Sequence, residues 1–85
     1  MNRKELKKEI INLYAKCGSY IMTLEQKEAN GFYITKFAHP TKSKIIEVTE
    51  TWDEVKSVFV YNRTSNAAQR HAIECKTIEQ FINAI

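Results

Sequence analysis

The stretch VKSVFVYNR (residues 55–63) decides the fold class of this chain, because it reads as a β-strand with two apolar faces. It is rich in β-branched and aromatic residues and contains neither Gly nor Pro, a composition typical of strands. Alternate side chains of a strand point to opposite faces, so Val58 and Val60 share one face. Phe59 and Tyr61 share the other. A strand with one wet face would alternate apolar with polar residues, so the question is what covers the second face.

Length and composition predict a single small domain over residues 1–85. Hydrophobic residues at 44% and charged residues at 27% are typical of globular chains. The chain begins without the continuous apolar region of a signal peptide, and no apolar run approaches the length that spans a membrane. We therefore expect a cytoplasmic protein with no membrane contact, in which Cys17 and Cys75 are reduced thiols.

Apolar spacing predicts an N-terminal helix over residues 2–17. Leu6, Ile10 and Tyr14 recur at four-residue steps, which places them on one stripe of a helix. Gly18 follows, and Gly is the residue that most often ends a helix in the left-handed conformation. The helix is therefore expected to bury one stripe against the rest of the domain.

An antiparallel meander is predicted to follow this helix. Asn30 and Gly31 favour a two-residue turn between the first two strands, because both residues tolerate a positive φ. The resulting register places Leu24 opposite Phe37 and Glu25 opposite Lys36. Pro40 excludes a continued strand and marks the next turn. Two further strands are predicted over residues 44–52 and 55–62.

Two interpretations of the chain after residue 62 stay open. In the preferred one, residues 69–75 form a fifth strand and Thr77 caps a short final helix, since Thr77 and Gln80 have capping-box spacing. In the other, one helix runs from residue 66 to the end. Both predict the same fold class: an α+β domain with an N-terminal helix, an antiparallel meander of four or five strands and a C-terminal helix.

The position of the helices decides whether the second face of the sheet is covered. If both pack on one face, they are expected to bury Tyr20, Met22, Leu24 and Phe37. The opposite face then shows Ile21, Phe32, Ile34 and either the Val58/Val60 or the Phe59/Tyr61 pair. An uncovered apolar patch of a few hundred Å² is typical of a partner surface. If the helices lie on opposite faces, or the sheet curls into a half barrel, no patch remains.

The candidate protein-binding site consists of Phe32, Ile34, Trp52, Phe59 and Tyr61. Trp52 is surrounded by acidic residues in the run EVTETWDE. It is interpreted either as an anchor for a partner, since Trp is enriched at interface hot spots, or as a residue that closes the core. The same surface is expected to allow a homodimer.

An alternative interpretation is a small nucleic-acid-binding module that uses the basic face of the first helix. The candidate residues are Arg3, Lys4, Lys7, Lys8, Arg63 and Arg70. Clustered cations near a helix N-terminus favour an anion site, and the net charge of +3 permits an acidic partner. The chain contains no signature of a known nucleic-acid-binding module.

The expected function is that of a small non-catalytic binding or regulatory protein. The chain has no catalytic motif and no metal-ligand spacing, so no enzyme activity, cofactor or metal is expected. Its abundance of Lys, Ile, Glu and Asn suggests an AT-rich genome. This composition, in a short chain without motifs, suggests a phage or mobile-element inhibitor of a host or defence protein.

Overall fold

The five strands form one antiparallel sheet in the order in which they occur along the chain, in a computed structural model that describes residues 1–85. The elements are α1 (Arg3–Lys16), β1 (Thr23–Ala29), β2 (Phe32–Ala38), β3 (Lys44–Glu50), β4 (Val55–Asn62), β5 (Ile73–Glu74) and α2 (Ile78–Ala84), with a single 3₁₀ turn at Ala67–Gln69. The predicted α+β fold is confirmed, with five strands. Neither helix combines the length and the apolar character that crossing a membrane requires.

The first helix begins and ends as its sequence predicts. The side chain of Asn2 accepts a hydrogen bond from the backbone N–H of Glu5 at 3.1 Å, which caps the N-terminus. Gly18 has φ +64° just past the last turn, the left-handed conformation that ends a helix at little cost for Gly. Leu6 and Ile10 are buried on the stripe between these ends.

The first hairpin has the predicted turn, and the predicted pairing of Glu25 with Lys36 is confirmed, but the predicted pairing of Leu24 with Phe37 is wrong. Asn30 and Gly31 both have positive φ and join β1 to β2 directly. Phe37 pairs with Thr23 instead of Leu24, because the register shifts between Thr23 and Glu25. A bulge of this kind adds one residue to one strand and leaves it without a partner.

The expected burial of Tyr20, Met22 and Leu24 is wrong, because their side chains are 98%, 56% and 38% exposed. β1 begins only at Thr23, so Tyr20 and Met22 belong to the segment that connects α1 to the sheet. The helices cover β3 and β4, and the β1–β2 hairpin extends beyond them with β1 almost wholly exposed.

The C-terminal region follows the preferred interpretation, and the single long helix is wrong. His71 has φ +48°, which an α-helix cannot contain, and the carbonyl of Arg70 accepts a hydrogen bond from the N–H of Asn62. The fifth strand is shorter than predicted, at Ile73–Glu74. Thr77 caps α2 by accepting a hydrogen bond from the N–H of Gln80 at 3.1 Å.

The core lies between the helices and a single face of the sheet. It contains side chains of α1 and α2, alternate residues of β3 and β4, and one residue that follows β5: Leu6, Ile10, Tyr14, Ile46, Val48, Val58, Val60, Cys75, Phe81 and Ala84. Both helices therefore pack on the Val58/Val60 face. Neither helix packs on the Phe59/Tyr61 face, which we call the open face.

Tyr14 joins the first helix to the sheet. Its hydroxyl donates to the carbonyl oxygen of Ala38 and lies 3.4 Å from the carbonyl oxygen of Met22.

We expect Tyr14→Phe to lower the free energy of unfolding by about 1–2 kcal/mol, because a buried hydrogen bond is lost with little change in shape. For a domain of this size, each kcal/mol corresponds to about 4–8 °C in Tm. Thermal unfolding followed by circular dichroism measures the change, with Tyr20→Phe as the exposed control. Equal Tm values for the two variants would contradict the role of this hydroxyl.

His39 organises the β2–β3 turn through its neutral form. Its Nδ1 accepts hydrogen bonds from the N–H groups of Thr41 and Lys42, at 3.1 and 2.9 Å. Burial lowers the pKa of His39, which the nearby carbonyl of Ile85 opposes only in part. A group with a lowered pKa in the folded state contributes stability above its unfolded pKa and loses it as the pH falls.

We therefore expect the free energy of unfolding to decrease as the pH falls below about 6.5, the ordinary pKa of His. Urea unfolding at a series of pH values measures this slope. His39→Asn is expected to reduce the slope, because Asn keeps an acceptor for the turn and does not titrate. His71→Asn, a change at the exposed His, is the matched control. A slope that depends on His71 and not on His39 would overturn the assignment.

Candidate functional site

Antiparallel pairing brings one residue from each strand into a row across the open face: Glu25, Lys36, Glu47, Phe59 and Glu74. Cross-strand partners lie on the same face of a sheet with Cβ atoms about 5 Å apart. The row therefore alternates in charge on its β1–β3 side and carries an aromatic ring on β4.

Lys36 is engaged by carboxylates on both neighbouring strands. Its Nζ lies 3.1 Å from Oε2 of Glu25 and 3.7 Å from Oε1 of Glu47. The hydrogen bond between Lys36 and Glu25 raises the pKa of Lys36 and lowers that of Glu25. Exposed ion pairs of this kind contribute little to stability, because solvent screens them. Their consequence is that the ammonium group of Lys36 is already paired before any ligand arrives.

Apolar side chains flank this row on both sides. Phe32 and Ile34 lie on β2, towards the β1–β2 turn. Ile45 and Tyr61 are cross-strand partners on the other side, close to Phe59. Phe32 is 39% exposed, and the other four side chains are half-buried. Four of the five residues predicted to bind a protein, all except Trp52, therefore lie on the one face that the helices leave uncovered.

Trp52 lies in the β3–β4 turn at one end of the sheet. Its side chain is 79% exposed, so the interpretation that it closes the core is wrong. Its backbone carbonyl accepts a hydrogen bond from Nη1 of Arg3 at 2.7 Å, and Nη2 of Arg3 lies 2.7 Å from Oε1 of Glu50. This contact fixes the turn against the start of α1, which leaves the indole at the rim of the sheet.

An open depression on this face brings together residues from both predicted binding sets. It has a volume of about 260 Å³ and is lined by Lys36, Glu47, Phe59, Tyr61, Arg70 and Ala72. The Tyr61 hydroxyl donates to Oε1 of Glu47 at 3.2 Å. Burial raises the pKa of Tyr61, and the negative charge of Glu47 adds to this effect. Arg70 is exposed and takes part in none of the ion pairs of the structure.

The basic residues predicted to bind nucleic acid fall into two separate groups. One group is on α1: Arg3, Lys4, Lys7 and Lys8; the other follows β4: Arg63 and Arg70. Arg3 is paired with Glu50, at the end of β3. The N–H of Arg63 donates to the carbonyl of Ser43, just before β3 begins. β3 has seven residues and is therefore about 23 Å long, so the two groups do not form one continuous basic site.

One exposed apolar feature is not anticipated by the sequence reasoning, namely a corner between α1 and β1. Ile11 and Ile21, 54% and 48% exposed, line an apolar groove there together with Phe37. The expectation that Ile21 shares the open face with Phe32 and Ile34 is wrong. Ile21 precedes β1 and lies on the helix side. No sequence signal marks this corner, because the register shift that follows it depends on how the strand pairs.

The contact between Tyr61 and Glu47 gives the first test of the open face. We expect the Cζ resonance of Tyr61 to titrate above the ordinary tyrosine pKa of about 10, because burial and Glu47 both disfavour the phenolate. Glu47→Gln removes the negative charge and is expected to lower this pKa. Nuclear magnetic resonance with labelled tyrosine follows the titration, and Glu54→Gln in the β3–β4 turn is the matched control. A titration of Tyr61 that is the same in both variants would contradict the contact.

The chain matches no protein-family model, no curated protein and no solved structure. No group of three or more His, Cys, Asp and Glu side chains is placed to hold a metal ion. Its function is therefore argued from its own surface, on which the open face carries four of the five residues predicted to bind a protein.

Proposed function

We propose that this chain is a small non-catalytic binding protein that regulates another protein by covering part of its surface with the open face. The observation that carries the proposal is that both helices pack on the Val58/Val60 side of the sheet. Neither helix covers Phe59 and Tyr61 on the other side. Aromatic and aliphatic side chains grouped on an uncovered face are typical of a surface that binds a partner.

The size and composition of the open face suit a protein partner. Four strands of seven or eight residues give a surface of about 20 by 23 Å, from the strand spacing and the rise per residue. A contact of that size is at the scale of a weak or transient interface. Aromatic residues with polar groups around them are the composition of interface cores and rims.

The charges of the open face favour protein over nucleic acid. Glu25, Glu47 and Glu74 share the face with Lys36 and Arg70. The ammonium group of Lys36 is already paired with Glu25 and Glu47, whereas a phosphate backbone needs several free cations. The basic residues of α1 belong to the helix side. Nucleic-acid binding through Lys7 and Lys8 on α1 is therefore the alternative function that the experiments must distinguish from protein binding.

The proposal includes a cytoplasmic location and an origin in a phage or mobile element. Both cysteines are free thiols in the structure, as is usual for cytoplasmic proteins, and the composition suggests a phage or mobile element that targets a host or defence protein. Self-association through the open face would compete with such a partner. Sedimentation at increasing protein concentration would reveal this competition as a concentration-dependent dimer.

Two serine variants on opposite sides of the molecule test the proposal. We expect Phe59→Ser to lose the partner that the wild-type protein captures from a bacterial lysate, because Phe59 lies at the centre of the open face. Ile82→Ser changes a side chain on α2 that is 48% exposed and is expected to retain the partner. Circular dichroism of both variants verifies that they fold. Capture that survives Phe59→Ser in a folded protein would contradict the proposal.

The salt dependence of binding separates the two classes of partner. Apolar protein contact is expected to change less than about tenfold in Kd between 50 and 200 mM salt, whereas a protein that makes several phosphate contacts loses roughly 10³-fold or more. Calorimetric titration of the captured partner measures this. Lys7→Glu combined with Lys8→Glu is expected to leave the affinity unchanged. Loss of binding in that double variant would support the nucleic-acid alternative instead.

A further inference from the structure

The depression on the open face has a chemical character of its own. Three of its six lining residues are apolar, namely Phe59, Tyr61 and Ala72, and the exposed Arg70 lines it beside them. The last two residues come from the β4–β5 connection, which folds back along β4 through the hydrogen bond from the N–H of Asn62 to the carbonyl of Arg70, at 2.8 Å. The site is thus built by backbone pairing and not by a loose loop.

Only one charge in the depression lacks a partner. The Nζ atom of Lys36 lies 3.7 Å from Oε1 of Glu47, and Glu47 also accepts the hydrogen bond from the Tyr61 hydroxyl. Arg70 has no carboxylate partner. Arg70 and Tyr61 line the same depression, and the positive charge of Arg70 opposes in small part the rise in the pKa of Tyr61 that burial causes.

An aromatic floor beside one free guanidinium defines the ligand that fits. A carboxylate forms two parallel hydrogen bonds with Arg, and a flat ring attached to it packs on Phe59 and Tyr61. A phosphate group fits less well, because it carries more negative charge and Glu47 and Glu74 are close by. The volume of about 260 Å³ is below that of sites for drug-sized ligands and suits a single side chain.

We infer that the depression formed by Phe59, Tyr61, Ala72 and Arg70 binds an aromatic group next to a carboxylate, presented by a peptide segment of the partner protein. The carboxylate pairs with Arg70, and the ring lies on Phe59 and Tyr61. The peptide source depends on the proposed function, whereas the recognition chemistry of the depression does not.

Small probes test the chemistry without knowledge of the partner. Hydrocinnamate carries a ring and a carboxylate, phenethylamine has the ring with a positive charge, acetate has only the carboxylate, and phenyl phosphate has the ring with a phosphate. We expect hydrocinnamate to shift the backbone amide resonances of Phe59, Tyr61, Arg70 and Ala72, with a Kd of roughly 1–10 mM, as ligands of this size allow. The other three probes are expected to bind at least about tenfold more weakly.

Two charge-reversal variants identify the cation. Arg70→Glu is expected to weaken hydrocinnamate at least about tenfold and to improve binding of phenethylamine, because the sign of the rim charge is reversed. Arg63→Glu changes an exposed arginine outside the depression and is expected to have no effect. Both changes are on exposed side chains, so the fold is expected to survive, and the amide spectrum verifies it.

Each contrary result overturns the inference in a defined way. Absence of shifts at the four residues, or equal shifts with acetate, would show that no aromatic carboxylate site exists. Tighter binding of phenyl phosphate would assign the depression to phosphate ligands. If the probes fail while Phe59→Ser still loses the captured partner, the proposed function stands without this site. If the probes bind while Phe59→Ser still captures the partner, the site stands and the proposed function fails.

Discussion

The packing of both helices on the Val58/Val60 face is the constraint on which the rest of the structure depends. A chain of 85 residues can bury only about 60% of the surface that its unfolded form exposes. It therefore has enough apolar material for one layer of core, and α1, α2, β3 and β4 all contribute to that single layer. No helix remains to cover the second face of the sheet. That face is exposed because both helices pack on the first one.

The polar groups of the open face are arranged between its apolar ones. Lys36 is paired with Glu25 and Glu47, which divides the apolar residues into two groups. The β1 edge is also protected, since its central residues are Glu25, Gln26, Lys27 and Glu28. Charged side chains on an edge strand oppose the addition of another strand. Contact through the face is therefore favoured over pairing along the edge.

Local signals in the sequence predict the elements well, and the reason is visible in particular residues. Asn2, Gly18, Asn30, Gly31 and Thr77 act through their own backbone conformation or through a hydrogen bond a few residues away. The register of β1, the brevity of β5 and the exposure of Trp52 are different, because each depends on contacts between distant segments. The ion pair of Arg3 with Glu50 joins residues 47 positions apart, and no local pattern in the sequence predicts it. For the same reason the sequence supplies the members of the open face, but not the depression that unites Phe59 and Tyr61 with Arg70.

The most direct measurement of the central claim is the accessibility of the two faces of β4 in the free protein. A soluble paramagnetic agent broadens the resonances of side chains that it can approach. At low protein concentration, we expect strong broadening at Phe59 and Tyr61 and none at Val58 and Val60. Equal protection of all four side chains would show that the second face is covered in solution, and would contradict a free contact surface on this side of the sheet.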